Sequence, residues 1–301
     1  MGGEFRFSTK LTDIKIENEK VVAVTLNDKE QLPCNVLILA IGHSARDTFH
    51  LLDDKNLLME SKPFAVGVRV MHYQKMIDKE QYQNKIKKAP YKLTYQTKNH
   101  RGVYSFCMCP GGYVINSASE NNSLVVNGMS NYLRDSNTAN SAIVVTVSKK
   151  DYGEGLFAGV KYQQELEKKA YLKGNGKIPV EYYQDFLNKK ITKKETDFAI
   201  LGAYTFTDLN DILPVTISDS IKEAMIEFNK KIKNFSDSNP LLAGVETRTS
   251  SPIKIIRDEK LESNIKGIYP CGEGSGYAGG ITSSAIDGIK VAEEIIEKYY
   301  Y

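Results

Sequence analysis

No apolar run in the 301 residues is longer than residues 36–41. A bilayer-spanning helix needs roughly 20 apolar residues, so this sequence contains none. Charge of one sign is equally scarce, with 40 basic side chains against 37 acidic ones and a formal net charge of +3. Such a balance argues against nucleic acid and against a membrane surface as partners. The pairs Lys149-Lys150, Lys168-Lys169 and Lys189-Lys190 read as solvated faces. Only four cysteines occur, Cys34, Cys107, Cys109 and Cys271. They are too few for a disulfide framework in a chain of this length, and they suit a reducing compartment. The histidines His43, His50, His72 and His100 show neither an HExxH spacing nor a pairing with CxxC, so no zinc motif is present. Residues 1–6 hold no apolar signal segment, and Arg6 stands where a myristoylation signal needs Ser or Thr. A cytoplasmic location is the resulting expectation.

What is present suits a packed protein. Hydrophobic residues make up 41% and charged residues 26%, and the length allows one large domain or two smaller ones. The first forty residues read as β: residues 5–7 alternate, and residues 14–16 and 21–26 flank the polar turn 17–20 as a hairpin. Pro33 then punctuates. Residues 36–41 are apolar without alternation, as expected of a parallel strand covered on both faces, and lead to a small polar turn and a short helix over 49–52. A strand over 64–70 and a helical connection over 74–88 follow, then β-rich pieces at 104–108, 113–118, 124–126 and 143–147. Helix-former composition marks 160–172, 180–188 and 218–232. Near the end, residues 267–272 form a short apolar strand. Ile281, Ala285, Ile289, Ala292 and Ile296 recur at helical intervals over 281–299.

Between that strand and that helix lies a literal GxGxxG, in Gly274, Gly276 and Gly279. Taken alone it is weak, because the chain ends about twenty residues later and no βαβ unit follows. Its chemistry is still useful: glycines expose backbone N–H groups at a helix start, which favours an anion or a carbonyl oxygen. The alternative is a loop that only turns the chain.

Residues 270–288, with Cys271-Gly272-Glu273-Gly274-Ser275-Gly276 and Gly279-Gly280-Ile281, closely resemble the C-terminal FAD motif of a family of bacterial FAD-dependent dehydrogenases. Residues 39–48, with Ile41-Gly42-His43-Ser44, resemble the family's second flavin motif. Further matches run in family order through residues 62–69, 104–112, 127–130 and 244–252. The resemblance implies that the turn after Ile41, with Gly42, His43 and Ser44, lies along the FAD diphosphate and ribose. It implies that Gly272 and Glu273 sit by the ribityl chain or a phosphate. The helix starting near Gly280 and Ile281, after Gly279, would aim its N–H groups at the pyrimidine end of the flavin, where reduction places negative charge.

In such flavoproteins a strand, a GxGxxG turn and a helix precede everything seen here, and none of these is in the sequence. The expectation is therefore a C-terminal portion that binds little or no FAD alone, with an exposed apolar face on residues 36–41. The fold expected is α/β with an α+β insertion: residues 1–59 and 242–301 as the remnant of a split, Rossmann-like FAD domain, and 60–241 as an inserted substrate domain. FAD is the cofactor implied, with NADH or NADPH as candidate electron donor and a small molecule as substrate. The alternative function is a non-catalytic module that binds a small anion or a partner chain.

A flavin carries the redox chemistry itself, so no acid/base pair is required. Cys107 and Cys109, two apart in a strand, would share one face and could bring two thiols to a substrate, or be small buried hydrophobes. Arg248 could clamp a substrate carboxylate through its bidentate fork, or pair with Glu246 or another local acid. Arg69 is a weaker candidate of the same kind. Glu246 and Asp287 carry no assigned role.

Overall fold

The computed structural model describes residues 2–83, 85 and 87–299. The chain divides into two compact units, Met1–Pro63 with Gly153–Val160 and Ser250–Tyr301, and Phe64–Tyr152 with Lys161–Thr249. No helix among the described residues is long and apolar enough to cross a membrane.

In the first unit, β1 (Leu11–Glu17), β2 (Lys20–Leu26) and β3 (Glu30–Pro33) form an antiparallel meander. Asn18 and Glu19 both have positive φ, as do Asn27 and Asp28. At residues 18–19, between the paired Glu17 and Lys20, this is the type I′ geometry whose twist suits a two-residue hairpin turn. Residues 5–7, expected as strand, lie outside any strand, since β1 begins only at Leu11. The expected strand 36–41 is shortened to β4 (Leu37–Leu39), followed by α1 (Arg46–Asp54), which buries Phe49 and Leu52. β5 (Met59–Ser61) pairs antiparallel with β16 (Ile253–Ile255), and β17 (Ile268–Pro270) pairs parallel with β4. Ile14, Val21, Leu39, Phe49, Leu52, Ile253 and Ile268 make the core.

The closing helix of this unit, α7 (Ile281–Tyr299), corrects the reading of its apolar stripe. Its inward face carries Asp287 and Val291, while Ile281 (93% exposed), Ala285, Ile289 (60%), Ala292 and Ile296 (54%) face outward. β4 also differs from a strand covered on both faces, for Ile38 is 47% exposed.

The second unit is built on β6 (Phe64–Tyr73), β7 (Thr94–Gln96), β8 (Gly102–Cys109), β11 (Thr138–Val147), β12 (Ile178–Tyr182), β14 (Tyr204–Phe206) and β15 (Leu241–Glu246). They form one sheet in the order β14-β12-β15-β6-β11-β8-β7. β6 and β11 pair antiparallel over ten residues each. A smaller sheet of β9 (Gly112–Asn116), β10 (Val126–Ser130) and β13 (Ile200–Leu201), in the order β10-β9-β13, packs against β6, β11 and β15. The helices are α2 (Gln74–Tyr82), α3 (Lys149–Tyr152), α4 (Ala158–Lys173), α5 (Tyr183–Asn188) and α6 (Val215–Lys231). α6 lies across β6, β7, β8 and β11 through Ile217, Ile221, Met225 and Phe228, whose spacing puts them on one helical face.

Three expectations shift here. Residues 180–188, read as one helix, are the buried end of β12 followed by α5; sheet pairing of Val180 with Ala243 and Phe206 overrides helix propensity. The helical connection 74–88 stops at Tyr82 with Gln83 in the left-handed region, and Asn84 and Ile86 lie outside the described residues. The chain passes between units near residues 63 and 250 instead of 59 and 242, because β15 pairs with β6 and β12 and so stays with the large sheet, and it also returns to the first unit over Gly153–Val160.

Candidate cofactor site

β4 and β17 run side by side, Leu37 opposite Ile268 and Leu39 opposite Pro270. The Leu37 amide donates to Gly267 O (2.7 Å) and the Cys271 amide to Leu39 O (3.0 Å). Parallel strands end together, so the turn that leads to α1 and the glycine-rich turn that leads to α7 emerge at the same edge. Ligands of open α/β sheets collect at such strand ends.

The two turns touch. A Cβ on Gly274 would lie 2.5 Å from Gly42 O and 2.8 Å from Gly42 N, a backbone clash that leaves only glycine at position 274. Gly42 (φ +68) and Gly272 (φ +77) are left-handed, where other residues are strained. His43 Nδ1 lies 2.8 Å from Glu273 Oε1 and ties the turns a second time. Ile41, Gly42, His43, Ser44, Gly272 and Glu273 are thus brought to one place. Gly279, Gly280 and Ile281 stand at the far end of the second turn, at the start of α7.

A carboxylate can only accept, so in the neutral imidazole Nδ1 carries the proton and Nε2 is an acceptor. His43 Nε2 is buried and has no hydrogen-bond partner among the described residues. Together with the Glu273 carboxylate this makes a surface of acceptors, suited to the hydroxyls of a ribose or ribityl chain. Anion chemistry belongs to α7 instead: its first-turn N–H groups have no intrahelical acceptors, and a nineteen-residue helix directs its positive dipole end there. Added Cβ atoms at Gly42, Gly279 and Gly280 would meet nothing within 4 Å. Packing does not demand glycine at 279 and 280, so those positions leave room for a ligand to approach the backbone. A polyol joined to a diphosphate fits this donor and acceptor set.

One cation missed from the sequence belongs here. Lys62 Nζ donates to Gly276 O (2.7 Å), and burial, with the Lys254 ammonium nearby, pushes its pKa below the ordinary value while Glu273 opposes the shift. Nothing in the residues around Lys62 signalled this contact, which joins positions 214 apart.

The other candidates lie in the second unit. Cys107 and Cys109 do not alternate regularly, because a bulge sets residues 107 and 108 against one position of β11, and Cys107 has φ +42. Cys107 is exposed and Cys109 half-buried, with burial pushing the Cys109 thiol pKa up although the Arg69 guanidinium lies 3.9 Å from its Sγ. Arg248 presents its fork to Glu167, Nε to Oε1 at 2.9 Å and Nη2 to Oε2 at 2.8 Å, and reaches Ser119 Oγ (2.8 Å). Glu167 was not anticipated; it lies 81 residues away on α4 among other charges. Arg69 takes Glu246 as its partner.

A family model described as FAD-dependent protein, C-terminal domain-like, matches residues 63–249. The chain belongs to this family. The match coincides with the span of the second unit and stops before the glycine-rich turn. An uncharacterized protein of Clostridium beijerinckii is 46% identical over 311 residues, an alignment that covers 99% of this chain and 58% of the relative. The chain thus spans about 58% of that relative's length. Membership places the protein in an FAD-associated context.

Proposed function

We propose that this chain carries two flavin-contacting turns and the C-terminal domain of an FAD-dependent oxidoreductase. The observation that carries the reading is the direct junction of Gly42 with Gly274 and of His43 with Glu273 at the C-terminal ends of two parallel strands. In this reading His43 and Glu273 orient sugar hydroxyls, the first turn of α7 meets an anionic group, and Lys62 sets positive charge beside the turn. FAD, when bound, accepts or donates the hydride or electrons, and the second unit supplies the substrate surface.

The first unit is then the incomplete, Rossmann-like FAD domain. A parallel pair of three-residue strands is a small fragment of a sheet that is ordinarily buried on both faces. Ile38 and the outward stripe of α7 are the faces on which further polypeptide would pack, and the relative's greater length is in keeping with this. The 301-residue chain should hold FAD weakly. A partner-binding module without redox activity is the second reading, favoured by that same outward stripe.

The test is a visible absorption spectrum of this chain beside the full-length Clostridium beijerinckii relative, followed by NADH or NADPH under anaerobic conditions. Flavin peaks in the relative alone, bleached by a nicotinamide donor, support the oxidoreductase reading. Peaks in neither protein favour the partner-binding module, and stoichiometric flavin in the 301-residue chain would refute the incompleteness of its site.

A further inference from the structure

Asp287 reaches from the inward face of α7 to the turn that precedes it. Its Oδ2 accepts the Gly272 amide (2.7 Å) and Arg257 Nη1 (3.0 Å), and its Oδ1 accepts Arg257 Nη2 (2.6 Å). Arg257 Nη1 also donates to Pro270 O (2.9 Å), on the last residue of β17, and its guanidinium carbon lies 3.7 Å from the Tyr277 ring centroid. One planar group therefore holds the strand end, the middle of the glycine-rich turn and, through Asp287, the first amide of the turn. Both side chains are nearly excluded from solvent, 7% and 10% exposed. Burial works against the Asp287 carboxylate, yet the hydrogen bonds from Arg257 and the Gly272 amide hold its pKa below the ordinary range.

We propose that Arg257 and Asp287 are positioning residues that preset the glycine-rich turn for its cofactor, an inference that rests on the FAD reading above. Glycine-rich segments are the most expensive to order, since each glycine loses the most backbone freedom. A turn already fixed by a buried fork loses less on binding, and its ligand binds more tightly for that reason alone. Gly272 is the pivot: its amide is taken by Asp287, which directs the Cys271–Gly272 peptide and hence where Glu273 meets His43. Neither Arg257 nor Asp287 need touch the cofactor.

The experiment is an NMR titration of the isotope-labelled 301-residue chain with FAD, with amide exchange and melting temperature measured on the same samples. In the wild type, FAD should shift amides of residues 42–44 and 272–281. Asp287→Ala should raise the dissociation constant by at least about tenfold and speed exchange of the Gly272 amide. Asp287→Asn, which keeps an acceptor for that amide, should recover much of the affinity. The charge swap R257D/D287R should regain melting temperature without regaining FAD affinity, because a guanidinium at position 287 cannot accept the Gly272 N–H. Unchanged affinity in Asp287→Ala, or full recovery of affinity in the swap, would overturn the positioning role. Absence of FAD shifts in the wild type, with flavin present in the full-length relative, would overturn the positioning role in this chain, and absence of flavin from both would overturn the cofactor reading itself.

Discussion

Arg69 Nε and Nη2 meet the two carboxylate oxygens of Glu246 at 2.8 and 3.2 Å, with the Arg69 side chain wholly buried in the large sheet. The remaining donors of Arg69 go to Asn140 Oδ1, Asn127 Oδ1 and Cys107 O. Its fork thus ties β6, β8, β10, β11 and β15 together and supports the bulge at Cys107. Removing one partner leaves a buried charge without compensation. Glu246→Gln is expected to lower unfolding stability by about 3–5 kcal/mol, read by urea denaturation; a loss below about 1 kcal/mol would show that solvent reaches the guanidinium.

Glycines 274, 279 and 280 make contrasting predictions. Gly274→Ala forces a Cβ into the Gly42 backbone and should cost about 1–3 kcal/mol as the two turns separate. Gly279→Ala and Gly280→Ala place their Cβ in open space, so melting should stay within about 0.5 kcal/mol of wild type while FAD affinity falls. Equal affinity in all three variants would remove the turn from the binding site.

Arg248 offers a choice between structure and substrate. Its fork is occupied by Glu167, whose side chain is fully buried and also accepts from Thr247 Oγ1 (2.8 Å). Arg248→Ala should therefore destabilise the second unit by about 3–5 kcal/mol. Unchanged denaturation with a raised KM, once a substrate is known, would restore the carboxylate-clamp role.

Stability should depend on pH through a carboxyl group far from the turns. Glu181 on β12 is fully buried; its Oε2 accepts the Leu209 amide (2.9 Å) and its Oε1 has no partner among the described residues. Burial pushes its pKa up to about 8, so between the ordinary carboxyl pKa and 8 the folded state holds a proton that the unfolded state releases. Stability is then fully present below the unfolded value and is lost as pH rises through 8, by at most about 1.4 kcal/mol per unit. His72 acts on the acid side: burial lowers its pKa to about 4, so stability is lost as pH falls from the ordinary histidine value toward 4. Denaturation between pH 6.5 and 8 isolates the first effect, and Glu181→Gln should flatten it; a slope unchanged in that variant would assign it elsewhere.

The thiols differ in access. Cys107 is exposed, whereas Cys109 is half-buried and Cys271 buried, and burial raises the thiol pKa of both. Alkylation at neutral pH should label Cys107 before Cys109 and Cys271, as peptide mass spectrometry would show. Simultaneous labelling of Cys107 and Cys109 would mean that the bulge opens in solution.

Local geometry was largely legible in the residues. The hairpin over 14–26, the long strand from Phe64, the α6 face and the strand, glycine-rich turn and helix at the end all follow from period and turn chemistry. Of the candidate site, both turns were marked in the sequence by their resemblance to the family's flavin motifs, since glycines after an apolar strand serve equally well to turn the chain. Illegible were the contacts that hold them: Lys62 with Gly276, Arg257 with Asp287, Gly42 against Gly274. Each joins positions distant in the chain or depends on which backbone comes close, and a lone lysine or arginine carries no sign of its partner.

The helix at the end shows the same division. Ile281, Ala285, Ile289, Ala292 and Ile296 establish by their spacing that residues 281–299 coil as a helix with one apolar stripe. Which way that stripe points is beyond periodicity, since rotation about the helix axis leaves every local interaction unchanged. Asp287, drawn inward by Arg257 and the Gly272 amide, and Val291, packed near Tyr269 and Cys271, settle the rotation and turn the isoleucines outward. Amino-acid order therefore determined the elements and the chemistry each can offer. Tertiary structure alone decided which groups meet, because a fixed period orients a side chain around its own helix or strand and says nothing about what stands opposite.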